Sequence, residues 1–226
     1  KGRRGQTKLT DAALTCAVKA DTIQAYGRKY SMTHCLWINS EIFLLCTNPK
    51  VNVYSKEHWI SALSIEDGVK TELFEFIPEL NWKLMTYEGF GGDIHKGING
   101  VCSEMVSDIK GCAAAICGLQ ADWFVRGYAW EKQTECRDLL VNPRGTYTKF
   151  APFLFLNDKN GDITAFLKTA VLVNVLGVAL FGKSFLSKSY APGPKTKGKL
   201  WELRHTTPGM VAAAAVVVSF PAFRIL

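Results

Sequence analysis

The chain has 226 residues, 48% of them hydrophobic and 21% charged, with six Trp and thirteen Phe. That composition excludes disorder over most of the length, and the chain is long enough to bury a full core. The formal net charge of +7 has its excess in two stretches; such patches can meet phosphates or can simply be solvated and keep the protein soluble.

The first basic stretch is the opening "KGRRGQTK", with Lys1, Arg3, Arg4 and Lys8. Residues 1–9 are expected to form a flexible arm, and residues 10–226 a single helical domain. Thr10 is placed to cap a first helix, "DAALTCAVKADTIQAYGRKY", with apolar residues Leu14, Ala17, Val18 and Tyr26 near helical spacing. The pattern predicts continuation through "HCLWINSEIFLLC" as far as Asn48-Pro49, with Gly27 bending or dividing the helix. Ser55 opens a short helical piece around "KEHWISAL", and Ser64 precedes a further helix that ends before Pro78. "TYEGFGGD" reads as a glycine-rich loop, and no GKS or GKT follows to make it a phosphate loop. A helix is predicted from Ile98 to Ile116, with Gly118 as its terminator.

"ECRDLLVNPRG" ends in a turn, "FAPFLF" reads as extended, and Asp162 to about Phe181 reads as a strongly apolar helix. "SYAPGPKTKGK" is a Pro/Gly/Lys-rich loop and belongs to the second basic stretch, which runs from Lys183 to Arg204 and includes Lys195, Lys197 and Lys199. Thr207 and Pro208 suit the cap and first position of the last helix, "GMVAAAAVVVSF". The two apolar runs, 169–182 and 208–223, hold 14 and 16 residues. A membrane span needs about 20, so core helices are expected. The fold class expected is mainly α: one multi-helix globular domain with a few short extended segments.

Few stretches look like chemistry. Asp158, Asn160 and Asp162 alternate as in the start of a calcium loop. Position 6 of such a loop would be Ile163 where glycine is required, and position 12 would be Thr169 where a bidentate glutamate is required. A polar turn with Asn160-Gly161 at its tip fits better. The seven cysteines are odd in number, include no CxxC pair, and several sit in apolar runs. That suits free thiols in a reducing, intracellular compartment, nuclear or cytoplasmic. His34, His58, His95 and His205 are scattered, so neither a metal site nor a cofactor is argued for. As acid–base candidates, Glu72 and Glu75 are three apart on one helix face, with His95 and His205 elsewhere. Cys112 and Cys117 are candidate nucleophiles, but their apolar surroundings would raise their thiol pKa values.

As an ordered set, "DGVKTELFEFIP", "SDIKGCAAAICG", "CRDLLVNP", "FAPFLF", "LFGKSFL" and "GPKTKGKLWELRHTTPGMVAAAAVVVSF" resemble a large family of uncharacterised proteins expanded in mushroom-forming basidiomycete fungi. The resemblance covers roughly Ala13 to Phe220 and brings no catalytic residues with it. It implies a domain of unknown function whose members continue past the apolar helix with an acidic and aromatic tail. This chain finishes "PAFRIL", so the resemblance implies a C-terminal truncation. A missing tail would leave the last helix partly uncovered and favour self-association. The functional expectation is a non-enzymatic interaction module that touches nucleic acid or chromatin non-specifically through Lys1, Arg3, Arg4, Lys8, Lys195, Lys197 and Lys199. The alternatives are an enzyme of unspecified reaction or an assembly protein.

Overall fold

The computed structural model describes residues 11–224 apart from 44, 126, 130–131, 143, 147–149, 157–161, 188 and 190. It is mainly helical, as the periodicity predicts. "FAPFLF" is not the extended segment expected: Pro152–Leu154 form a 3-10 turn, and Phe155 alone makes an isolated antiparallel bridge, to Phe166. The chain divides into two compact units, 1–101 and 102–226. The division falls inside a helix.

In the first unit, α1 spans Asp11–Thr33. It does not run on to Asn48. The last α-helical bond is donated by the His34 N–H to the Tyr30 carbonyl, and the Ser31 and Thr33 hydroxyls donate back to the Arg28 and Lys29 carbonyls. Residues beyond it form a loop around a short 3-10 turn, Ser40–Ile42, capped by the Asn39 side chain. Leu36, Ile38, Ile42 and Leu45 are buried, so the apolar spacing that mimicked a helix anchors a loop instead. Gly27 does not divide α1. A Cβ there would meet the Ile94 carbonyl oxygen, and one at Gly97 would meet the Gln24 carbonyl oxygen. The two glycines therefore let α1 approach α3 (Phe90–Lys110) backbone to backbone.

α2 spans Ala62–Phe76 and is capped by Ser61 rather than Ser64. Ser64 supplies the other half of a capping box: its N–H donates to the Ser61 hydroxyl at 3.1 Å, and the Ser61 N–H donates to the Ser64 hydroxyl at 2.9 Å. A 3-10 turn, Lys56–Trp59, precedes it. At the other end the Trp82 indole N–H donates to the Phe74 and Ile77 carbonyls, satisfying part of the helix terminus before Pro78 takes over. α3 begins at Phe90, so half of the "TYEGFGGD" stretch is helical; Gly91 there lies against the Phe43 ring.

In the second unit, the predicted 98–116 helix is interrupted. α3 ends at Lys110, and α4 (Ala113–Cys117) restarts after Cys112. Gly118 ends α4 in the left-handed region at φ 69°, the conformation glycine supplies. α5 (Thr134–Asp138) leads into the expected turn, where the Asn142 side chain accepts from the N–H groups of Arg144 and Thr146. The bridge around Phe155 precedes α6 (Ala170–Phe181), which starts eight residues later than Asp162. Asp162 caps no helix; its carboxylate accepts from the Thr164 N–H at 2.8 Å and hydroxyl at 2.7 Å, closing a local turn. α6 is apolar on nearly every side; Leu172, Val175, Val178 and Leu180 lie in the core, while Val173 is exposed. Its polar Asn174 donates to the Ile116 carbonyl at 3.1 Å.

α7 (Lys197–Leu200) is a single turn within the expected lysine-rich loop. α8 (Pro208–Arg224) starts where Thr207 and Pro208 place it; the Met210 N–H donates to the Thr207 hydroxyl at 3.2 Å. Met210, Ala213, Ala214, Val217 and Val218, at helical spacing, are buried, and α8 packs against α6. Among the described residues no helix is long and apolar enough to cross a membrane.

Candidate functional site

The basic segment is built by glycine. In the second unit, Gly198 sits where a Cβ would strike the Phe181 ring, so α7 is seated directly on the end of α6. A turn before it is closed by Thr196, whose N–H and hydroxyl both donate to the Gly193 carbonyl, at 3.2 and 2.9 Å. This fixes the backbone that carries the lysines. Lys195 and Lys199 are exposed, as are Arg204 and His205 beyond them. Lys197 differs: its Nζ is 3.1 Å from a Glu104 carboxylate oxygen, and its side chain is the less exposed of the pair. Lys183 lies 3.8 Å from Asp108. Lys195 and Lys199 thus present charge outward, while Lys197 ties the segment to α3. Lys1, Arg3, Arg4 and Lys8 lie outside the described residues.

The acid–base candidates separate. On α2, Glu72 is half-buried and Glu75 exposed, so they do not form an inward-facing carboxylate pair. Leu73, Phe74 and Ile77 are core, as their pattern implies. Glu72 instead accepts a hydrogen bond from the Tyr30 hydroxyl at 2.9 Å. Burial pushes the Glu72 carboxyl up, against the downward pull of the Tyr30 bond and of nearby His58; Glu75 adds a smaller upward push. Tyr30 is fully buried and its phenol is raised well above the usual value, first by burial and then by the Glu72 charge.

Tyr30 stacks on His34, with ring centroids 5.0 Å apart, and Phe76 meets both rings edge-on. Burial, then the Lys29 charge, lowers the His34 imidazole. Sequence reasoning missed Tyr30 and its stacking with His34. The signal was the i, i+4 spacing of Tyr26, Tyr30 and His34, which places three rings on one face of α1. It also missed His58, 4% exposed, packed against Gly68 and the Trp59 ring, with no hydrogen-bond partner for Nδ1. These groups are interlocked packing, and Tyr30 offers no surface to a substrate.

His95 bonds to backbone carbonyls, and His205 is exposed. The seven cysteines are free. Burial raises the Cys112 thiol, with Lys183 pulling down and Asp108 pushing up, and its Sγ donates to the Asp108 carbonyl. Burial pushes the Cys117 thiol up to about 11, Cys136 adding to the rise. Neither thiol is activated as a nucleophile. Among the described residues no group of three His, Cys, Asp or Glu could hold a metal ion. Asp158, Asn160 and Gly161 of the calcium-like stretch lie outside the described residues; Asp162, with its carboxyl lowered by the Thr164 bonds, is engaged in its own turn. No protein-family model, no curated protein and no solved structure matches this chain.

Proposed function

We propose that the chain is a non-enzymatic interaction module that associates with nucleic acid weakly and without sequence preference, in an intracellular setting. The observation that carries the reading is the lysine-rich segment itself. Lys195, Lys199 and Arg204 are exposed on a backbone held by the seat of Gly198 on Phe181 and by the Lys197–Glu104 pair. Lysine ammonium groups are point charges suited to phosphate, and a fixed backbone keeps them together without demanding a base contact. Lys1, Arg3, Arg4 and Lys8, outside the described residues, add four further positive charges to the chain. The interlocked packing of Tyr30, Glu72 and His34 and the raised thiols favour this reading over an enzyme.

The test is a fluorescence-anisotropy titration of short duplex and single-stranded oligonucleotides at several salt concentrations. Each phosphate neutralised contributes about 0.9 to the slope of log affinity against log salt for a duplex. The variant Lys195→Ala/Lys199→Ala/Arg204→Ala is therefore expected to flatten that slope by up to about three units, and Lys197→Ala by much less. Absence of binding at about 50 mM salt, or equal slopes for the wild type and the triple variant, would overturn the assignment.

A further inference from the structure

His95 stands one turn into α3, and both of its ring nitrogens meet backbone carbonyls. Nδ1 is 2.7 Å from the Gly91 carbonyl oxygen and Nε2 is 3.0 Å from the Ile38 carbonyl oxygen. The Phe43 ring meets it edge-on, with centroids 5.2 Å apart. A carbonyl only accepts. A neutral imidazole carries one donor and one acceptor, whereas the imidazolium donates from both nitrogens. With a neutral ring, one of these two contacts would set a nitrogen lone pair against an oxygen lone pair.

We propose that His95 is doubly protonated in this arrangement and acts as a proton-dependent latch, holding the loop around Ile38 to the first turn of α3. The first bond lies within α3, so it positions the ring. The second, to Ile38, crosses to the loop and is the one the proton controls. Phe43 and Phe90, with centroids 5.8 Å apart, pack beside the same junction.

Among the described residues no ion pair or hydrogen bond joins a charged side chain to the ring. On α3, Asp93 and Lys96 pair with each other at 2.9 Å. On the loop, Glu41 is exposed and accepts from the Asn39 side chain. On α1, Arg28 lies near Gly100, more than a turn further along α3. Closing the latch takes up a proton. Lower pH therefore favours the closed loop, and rising pH releases it. His34, at the start of the same loop, works in the opposite sense, because burial favours its neutral form. The direction of the pH response thus separates the two histidines.

The test uses the full chain. Imidazole 15N chemical shifts report the protonation of each nitrogen, and hydrogen exchange, corrected for the intrinsic pH dependence, reports loop protection at pH 5.5 and 8.5. Expected are 15N shifts of an imidazolium in the closed state and loss of protection around residues 36–40 at the higher pH, on the order of tenfold. His95→Gln, which leaves His34 as the titrating histidine beside the loop, is expected to abolish the greater protection at the lower pH. A neutral tautomer while the loop remains protected would overturn the latch. So would equal wild-type protection at both pH values. Should His95→Gln fail to fold, the wild-type shifts and exchange decide the matter alone.

Discussion

At the scale of single residues, the glycines divide into two kinds with opposite consequences. Gly27 and Gly97 lie where any Cβ would press on a carbonyl oxygen of the facing helix, whereas Gly92 in α3 has open space around it. Alanine in a helix is favoured over glycine by roughly 1 kcal/mol. At Gly92 nothing opposes that gain, so Gly92→Ala is expected to raise stability by about 0.5–1 kcal/mol in urea titration. At Gly27 the obstacle is backbone, which cannot swing aside, and overpacking costs about 1–3 kcal/mol. Gly27→Ala is accordingly expected to destabilise, and a stabilised Gly27→Ala would disprove the close crossing of α1 and α3. His34 adds a pH effect. Its folded-state pKa is lowered by burial, below an unfolded value of about 6.5. Its contribution is thus present above that value and lost as pH falls through the folded pKa. Glu72 has the reverse sense: its raised pKa favours the fold below the unfolded carboxyl value and is lost as pH rises. In paired urea titrations at pH 5 and 7.5, His34→Phe, which keeps a ring against Tyr30, is expected to lose less stability at pH 5 than the wild type does. An identical loss in both proteins would remove His34 from the account.

At the scale of elements, legibility followed from whether the signal was local. The start of α8 was readable because Thr207 and Pro208 act on the backbone next to them. So was the end of α4, because Gly118 supplies its own φ. The mainly helical class was readable from apolar spacing. The end of α1 was not. Leu36, Ile38, Ile42 and Leu45 are buried at spacings a helix would also use, and only the three-dimensional path of the loop distinguishes the two. α6 began late because Asp162 is as good a turn former as a helix cap, and the bridge between Phe155 and Phe166 decided for the turn. Within the candidate site, the exposure of Lys195 and Lys199 was legible from the Pro/Gly composition around them. The engagement of Lys197 was not, since Glu104 lies 93 positions earlier in the chain. α2 offers a direct check on local reading. Ser61 and Ser64 form reciprocal bonds, so Ser61→Ala is expected to cost about 1 kcal/mol. If Ser64 alone capped the helix, as its position suggested, Ser61→Ala would leave the denaturation midpoint where it was.

At the scale of the whole molecule, the division at 101/102 and the positive balance describe different things. The two units are each held by their own apolar core, with the glycine crossing of α1 and α3 in the first and α6 with α8 in the second. The net charge of +7 acts through solvent and governs encounter rather than fold. The seat of Gly198 on Phe181 joins these two themes, since it places a charged segment on an apolar helix end. A keyhole of that shape restricts inheritance. Lysines around it can be exchanged for other residues with little structural consequence, but the hole and the ring that fills it must change together. In descendants of this sequence, a side chain gained at position 198 should be accompanied by a smaller residue at position 181. The two positions would then drift as a pair while the charges beside them drift alone.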